Sequence, residues 1–264
     1  MKVEGWVSTD LLGVLKDFQR RTAEYAFRRM YLDDPPAPRF LIADEVGLGK
    51  TLVARGVIAK VIEHLADKRE SINIVYVCSN QDIARQNIRR LGLDGSTQMT
   101  ASRITLVPLE QSIDDALGGV KLVAFTPSTS FDIKSKTGLS KERAFLAHLL
   151  LRSWNGAYSR TAVLNVLHAT KGRDGFEDEF KSIAPQVEGI EATFVDAFAD
   201  AISKTNLRGD FEKVAAQFKR RRRNERTPVE LRTLRDRLIG DLRALLARLA
   251  LDGLKPDLII LDEF

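Results

Sequence analysis

The chain has 264 residues, of which 44% are hydrophobic and 29% are charged, close to the usage of ordinary globular proteins. This composition excludes a fibrous or wholly disordered chain, and no run of about 20 apolar residues marks a membrane span. The single cysteine, Cys78, cannot form an internal disulfide, and the N-terminus lacks a signal-peptide pattern. We therefore expect a cytoplasmic protein with no membrane partner.

The positive charge is concentrated in one segment. The net charge is +5, and residues 210–250 contain twelve Lys or Arg against six Asp or Glu. The basic run from Lys219 to Arg223 predicts either a solvated helix surface or a nucleic-acid contact without sequence preference. The remainder of the chain is close to neutral.

Helical and strand patterns alternate in the first half of the chain. Apolar residues at helical spacing predict helices over residues 11–30, 51–66 and 83–91. Short apolar runs predict strands at 39–43, 72–77, 103–107, 121–125 and 257–261. Strands of this kind, separated by helices, favour an α/β fold whose parallel sheet carries helices on both faces.

Residues 140–252 have only helical patterns, the clearest of which follows Thr227 and Pro228 and contains a stripe of leucines. We read this block as a helical insertion between two strands of one sheet. The predicted organisation is an α/β lobe over 1–139, the insertion over 140–252, and a final strand of the lobe over 253–264.

A glycine-bearing turn, residues 43–51, lies between a predicted strand and a predicted helix. Successive backbone N–H groups at such a turn, together with the helix dipole, favour a phosphate. Glycine allows close approach, Lys50 can neutralise the β- and γ-phosphates, and the Thr51 hydroxyl can bind Mg²⁺. The predicted phosphate-binding residues are Val46, Gly47, Leu48, Gly49, Lys50 and Thr51.

A second motif, consisting of two acidic residues, follows the predicted strand at 257–261. Asp262 at the end of this strand can hold Mg²⁺, and Glu263 can polarise the attacking water. The alternative is an acidic loop after a core strand. The order of the two motifs along the chain favours the catalytic interpretation, with Lys50 and Glu263 as the catalytic residues.

The turn departs from the common phosphate-binding pattern at Asp44, where that pattern has glycine. The variant Asp-Glu-x-Gly-x-Gly-Lys-Thr resembles the first motif of superfamily 2 helicases and translocases, especially the Swi/Snf-like ATPases of the DEAD/DEAH type. The strand that ends in Asp262 and Glu263 is similar to the second, Walker B type motif of the same group.

The resemblance implies a RecA-like P-loop NTPase lobe, with ATP and Mg²⁺ as cofactors and with Gln19 reading the adenine edge. It implies an ATP-driven translocase on DNA or RNA, with DNA favoured, and a second RecA-like lobe that this chain lacks. We therefore expect the 264 residues, truncated after the Asp-Glu pair, to bind ATP weakly and to hydrolyse it little.

Polar residues after two strands are candidates for nucleic-acid contacts. Ser79 and Asn80 follow the strand at 72–77, and they predict either a helix cap or a contact with a backbone phosphate. Thr126 and Ser128 follow the strand at 121–125 and resemble the Thr-Pro type motif with which such lobes grip a strand; the alternative is a polar turn.

Two other functions stay open at this point. A P-loop switch ATPase of another superfamily would be expected to have glycine at position 44. A nucleic-acid-binding scaffold without motor activity would not need the intact turn and acidic motif. The insertion could bind a partner protein instead of nucleic acid. His64, His148 and His168 lack metal-ligand spacing.

Overall fold

The computed structural model describes residues 12–43, 47–91, 96–100, 103–111, 119–126, 136–169, 171–219 and 227–262. The chain divides into two compact units, each with its own hydrophobic core. The α/β unit comprises Met1–Ser102, Ala116–Ser130 and Lys255–Phe264. The helical unit comprises Arg103–Asp115 and Phe131–Leu254.

The α/β unit contains a four-stranded parallel sheet. Its strands are β1 (Ser71–Cys78), β2 (Thr97–Thr100), β3 (Gly119–Phe125) and β4 (Leu258–Asp262), in the spatial order β2-β3-β1-β4. The strands predicted at 72–77, 121–125 and 257–261 are confirmed, as is the α/β class with a parallel sheet. The apolar runs of β1 and β3 suit strands that are buried among parallel neighbours, whereas Ile259 and Leu261 of β4 are 56% and 67% exposed.

The described residues of this unit include three helices: α1 (Asp17–Phe27), which continues as a π-helical turn over Arg28–Leu32, α2 (Lys50–Leu65) and α3 (Gln81–Leu91). One core joins these helices to one face of the sheet, and helices on the other face stay a prediction. A side-chain Cβ at Gly56 of α2 would lie 2.8 Å from Ala23 Cβ of α1. Glycine at this position therefore lets the two helices pack closely.

Two of the predicted strands are absent from the described structure. Residues 39–43 are irregular, and Leu41 is 85% exposed. An apolar run alone does not make a strand, because the backbone also needs a hydrogen-bonding neighbour. Residues 103–107 instead contribute to a 3₁₀ turn, Ile104–Leu106, and to the start of α4 (Val107–Gln111). Pro108 suits the first turn of a helix, and β-propensity is easily overridden by packing.

The helical unit contains α4 and seven further helices among the described residues. Most of the buried apolar side chains of these helices form one core. The unit begins before residue 140, because it includes Arg103–Asp115 and Phe131 onward. The seven helices are α5 (Ser140–Ser153), α6 (Arg160–Leu167), α7 (Arg173–Ser182), α8 (Ala184–Glu188), α9 (Ala192–Ser203), α10 (Leu207–Lys219) and α11 (Val229–Leu254).

The predicted leucine stripe of α11 is only partly buried. Leu231, Leu238 and Leu242 belong to the core, whereas Leu234 is 50% exposed. The buried face of α11 also includes Ile239 and Leu246, so it is centred to one side of the stripe and leaves Leu234 at its margin. None of the described helices combines the length and apolar character that a membrane crossing requires.

Candidate functional site

The carboxyl ends of the parallel strands define one edge of the sheet. β1 ends at Cys78 and β4 at Asp262, and these two residues are paired in the register. Phe125, at the end of β3, is paired with Val77 on the other side of β1. Ligands of open α/β sheets bind outside this edge. Ser79, Asn80, Thr126 and Asp262, the described site residues at or after these strand ends, therefore lie along the same edge.

Thr51 and Asp262 lie side by side in the structure. Helix α2 begins at Lys50, and the Thr51 hydroxyl Oγ1 points at Asp262 Oδ2 from 3.4 Å, a contact longer than an ordinary O–H···O hydrogen bond. The two residues are 211 positions apart in the sequence. The fold thus brings the start of α2 to the end of β4.

The turn before α2 requires glycine at two positions. Gly47 and Gly49 have φ values of +92° and +81°, a left-handed region that side chains rarely adopt. A Cβ at Gly47 would meet nothing within 4 Å, whereas one at Gly49 would lie 2.7 Å from Gln19 Nε2. The carbonyl of Gly49 accepts from Leu52 N at 2.8 Å, which starts the helix. The positive end of the helix dipole at the start of α2 favours an anion.

Gln19 is fixed against this turn. The residue lies in the first turn of α1 and is 3% exposed. Its Nε2 donates to Leu48 O at 2.9 Å, and its Oε1 accepts from Lys16 N at 3.0 Å. The structure therefore shows Gln19 holding the main chain of the glycine turn, and its contact with adenine stays a prediction.

Asp262 is held by a buried hydrogen-bond network. The Tyr76 hydroxyl donates to Asp262 Oδ2 at 2.6 Å, and Asn87 Nδ2 donates to the Tyr76 hydroxyl at 2.8 Å. Burial, followed by the hydrogen bond to Asp262, raises the pKa of Tyr76 well above its ordinary value. The phenol therefore keeps its proton and remains a donor to the carboxylate.

Sequence analysis did not identify Tyr76 and Asn87. Tyr76 stands within an apolar strand and has the pattern of a core residue. Asn87 offered a usable signal, because it lies on the buried stripe of α3 with Ala84, Ile88 and Leu91. A polar side chain at a buried position needs a hydrogen-bond partner.

The donor set at this edge suits a cation that a nucleotide helps to hold. The described residues contain no group of three or more His, Cys, Asp or Glu side chains that could bind a metal ion unaided. Mg²⁺ in nucleotide sites commonly takes one or two carboxylates and completes its shell with phosphates and water. Asp262 can supply one carboxylate ligand of this kind, and Thr51 can supply a hydroxyl oxygen.

The predicted nucleic-acid contacts differ in exposure. Ser79 and Asn80 are exposed, and Asn80 Oδ1 accepts from Asp82 N at 2.7 Å, so Asn80 caps α3. Thr126 is only 1% exposed. A nucleic-acid contact by its hydroxyl therefore has less support than one by Ser79 or Asn80.

Several predicted residues lie outside the described part of the chain. They are Val46, Ser128 and Glu263, together with Asp44, Glu45 and residues 220–223 of the basic run.

Comparison of the chain with protein-family models, with curated proteins and with solved structures gave no match.

Proposed function

We propose that this chain is the ATP-binding lobe of an ATP-dependent helicase or nucleic-acid translocase. The observation that carries the proposal is the 3.4 Å contact between Thr51 Oγ1 and Asp262 Oδ2. It joins the residue after the glycine turn and its lysine to the carboxylate at the end of β4. From these two positions a hydroxyl and a carboxylate hold Mg²⁺ beside a bound nucleotide in P-loop enzymes.

The residues at this edge fit ATP and Mg²⁺. Among the described residues nothing crowds Gly47, the dipole at the start of α2 favours an anion, and the two oxygen ligands are adjacent. ATP would supply the phosphoryl group that is transferred to water. In this account, Lys50 neutralises the phosphates, Thr51 and Asp262 hold the metal ion, and Glu263 orients the attacking water. Few side chains are needed, because such catalysis consists mainly of positioning and charge stabilisation.

Two features support a helicase-type motor over another nucleotide switch. The Asp44-Glu45 variant of the turn is the basis of the family resemblance. Gln19, the residue that the resemblance assigns to adenine, lies against Leu48 and Gly49 of the turn. Gln19 is thus next to the place where a nucleotide would bind.

Exposed residues at the same edge support a nucleic-acid partner. Ser79 follows β1 directly, and Arg85 is exposed in the first half of α3. A hydroxyl, a helix N-terminus and arginines are the groups that contact backbone phosphates.

A nucleotide-binding measurement tests the proposed ATP site. We expect the wild-type chain to bind a fluorescent ATP analogue in the presence of Mg²⁺, and Lys50→Ala to lower the affinity by about tenfold or more, because it removes a charged phosphate contact. Lys60→Ala is the matched control, since Lys60 lies on the same helix and pairs with Glu63 at 3.4 Å. Equal affinities of the two variants, or no binding by the wild type, would contradict the proposed site.

Fluorescence anisotropy with labelled DNA and RNA oligonucleotides at low salt tests the proposed binding of nucleic acid. Ser79→Glu should weaken binding by placing a negative charge beside the phosphates. Ser203→Glu, at the exposed end of α9 in the helical unit, is the control for the added charge. Lack of binding to either nucleic acid would leave an ATP-binding protein without a motor function.

A further inference from the structure

Tyr76 and Asn87 form a buried pair behind Asp262. Tyr76 is fully buried and Asn87 is 2% exposed. Besides its bond to the Tyr76 hydroxyl, Asn87 Nδ2 lies 3.5 Å from Asp262 Oδ2. Buried polar groups persist only where their hydrogen bonds are satisfied, so the three side chains hold one another in place.

The network fixes one oxygen of the carboxylate. Among the residues that the structure describes, Thr51, Tyr76 and Asn87 all direct a donor atom at Oδ2 of Asp262. The shortest of these contacts, at 2.6 Å, comes from Tyr76. These donors stand on α2, β1 and α3, so three elements other than β4 determine how the carboxylate is turned.

We infer that Tyr76 is a positioning residue for the magnesium-binding carboxylate of Asp262. Its hydroxyl holds Oδ2 so that the carboxylate keeps one orientation, and Asn87 in turn fixes the hydroxyl. Hydrogen bonds to a metal-binding carboxylate from such outer residues orient the ligand and tune its affinity. The inference rests on the proposed function, because it takes Asp262 as the residue that binds the metal ion.

The test compares two tyrosine variants that each lose a hydroxyl with a 2.6 Å hydrogen bond. Tyr76→Phe removes the donor to Asp262. Tyr31→Phe is the matched control, because the Tyr31 hydroxyl donates at 2.6 Å to the backbone carbonyl of Asp257, just before β4. The measured quantity is the Mg²⁺ concentration needed for half-maximal tight binding of a fluorescent ATP analogue, with binding in EDTA measured alongside.

We expect Tyr76→Phe to raise that Mg²⁺ concentration by about tenfold, the lower end of the effect of losing an outer-shell partner. Its nucleotide affinity in EDTA should stay at the wild-type value, since only the metal ligand is disturbed. Tyr31→Phe should match the wild type in both conditions. Asn87→Ala should raise the required Mg²⁺ concentration by a smaller factor, because Asn87 acts through Tyr76. If Tyr76→Phe does not fold, Asn87→Ala tests the positioning role in its place.

Asp262→Asn separates the two ways of failing. If Asp262→Asn loses the Mg²⁺ effect while Tyr76→Phe and Asn87→Ala titrate like the wild type, the positioning role is wrong and the proposed function stands. If Asp262→Asn also keeps the wild-type Mg²⁺ dependence, the proposed function itself is wrong, and the inference with it. Equal shifts in Tyr76→Phe and Tyr31→Phe would indicate a general loss of stability and would overturn the inference.

Discussion

Gly49 is the most constrained residue of the candidate site. Its φ of +81° is strained for any residue with a side chain, and a Cβ there would lie 2.7 Å from the amide nitrogen of Gln19. Gly47 has a similar φ, but its surroundings are open. Alanine substitutions at the two glycines therefore separate the free-energy cost of the left-handed backbone from that of the contact with Gln19.

We expect Gly47→Ala to lower the free energy of unfolding by about 1–2 kcal/mol through the left-handed backbone alone. Gly49→Ala should cost more, because the added methyl group also displaces Gln19 from Leu48. Chemical denaturation measures both values, and the double variant Gln19→Ala with Gly49→Ala should recover part of the difference. Equal losses for the two glycine variants would show that Gln19 does not press on the turn.

His148 makes the stability of the helical unit depend on pH. Its ring is stacked on Phe180 with the centroids 3.8 Å apart, and burial lowers its pKa below the ordinary value of 6.5. Burial lowers the pKa of His168 in the same way. Below about pH 6.5 the unfolded chain therefore binds more protons than the folded one.

The free energy of unfolding should thus be highest above pH 6.5 and should fall as the pH is lowered from about 7 to 5.5. Urea denaturation at a series of pH values measures this slope. His148→Phe keeps an aromatic ring against Phe180 and should give a shallower slope. A slope that is unchanged in this variant, or stability that rises on acidification, would be inconsistent with a buried neutral histidine.

At the residue scale, the sequence allowed part of the site to be predicted. Thr51 and Asp262 were identifiable because each belongs to a short motif that is local in the chain. Tyr76 and Asn87 were missed, because their role exists only when β1, α3 and β4 come together. Thr126 was predicted as a contact because it follows a strand. Its burial could not be predicted, because burial depends on segments that are distant in the sequence.

At the scale of elements, pairing decided which apolar runs became strands. β1 and β3 could be predicted because their apolar runs fit the interior of a parallel sheet, and β4 pairs with β1 although Leu261 is 67% exposed. The run at 39–43 has similar composition, yet the described structure leaves it irregular. Pairing partners lie far away in sequence, so local composition does not specify them.

A buried charged group holds together elements of the helical unit. Glu142 on α5 is fully buried and accepts hydrogen bonds from Thr105 Oγ1 at 2.6 Å, Leu139 N at 2.6 Å and Arg243 Nη2 at 3.0 Å. It thereby connects the segment before α4, the start of α5 and the middle of α11. Removing one partner of such a group leaves an uncompensated buried charge.

Glu142→Ala should lower the free energy of unfolding by about 3–5 kcal/mol, since Arg243 would lose its buried partner. Asp200→Ala is the control, because Asp200 forms an exposed ion pair with Lys204 at 2.6 Å, and such pairs contribute at most about 1 kcal/mol. Calorimetry or urea denaturation compares the two. Similar small losses would mean that the Glu142 network is not a determinant of this unit.

At the scale of the whole molecule, the chain forms two cores from interleaved segments. The α/β unit closes only when β4, near residue 260, pairs with β1. The helical block was recognisable as an insertion because strand patterns stop where helical spacing begins. That Arg103–Asp115 belongs to it was not predictable from local patterns, since Ile104 and Leu106 suit a strand equally well.

The central claim is that one ligand, ATP with Mg²⁺, contacts both the start of α2 and the end of β4. Hydrogen–deuterium exchange tests it directly, because the two segments give separate peptides. We predict that ATP with Mg²⁺ slows exchange in residues 47–53 and in β4 together, and that ATP in EDTA slows it in residues 47–53 alone. Unchanged exchange in both segments at saturating ATP and Mg²⁺, or slowing confined to the helical unit, would contradict the account.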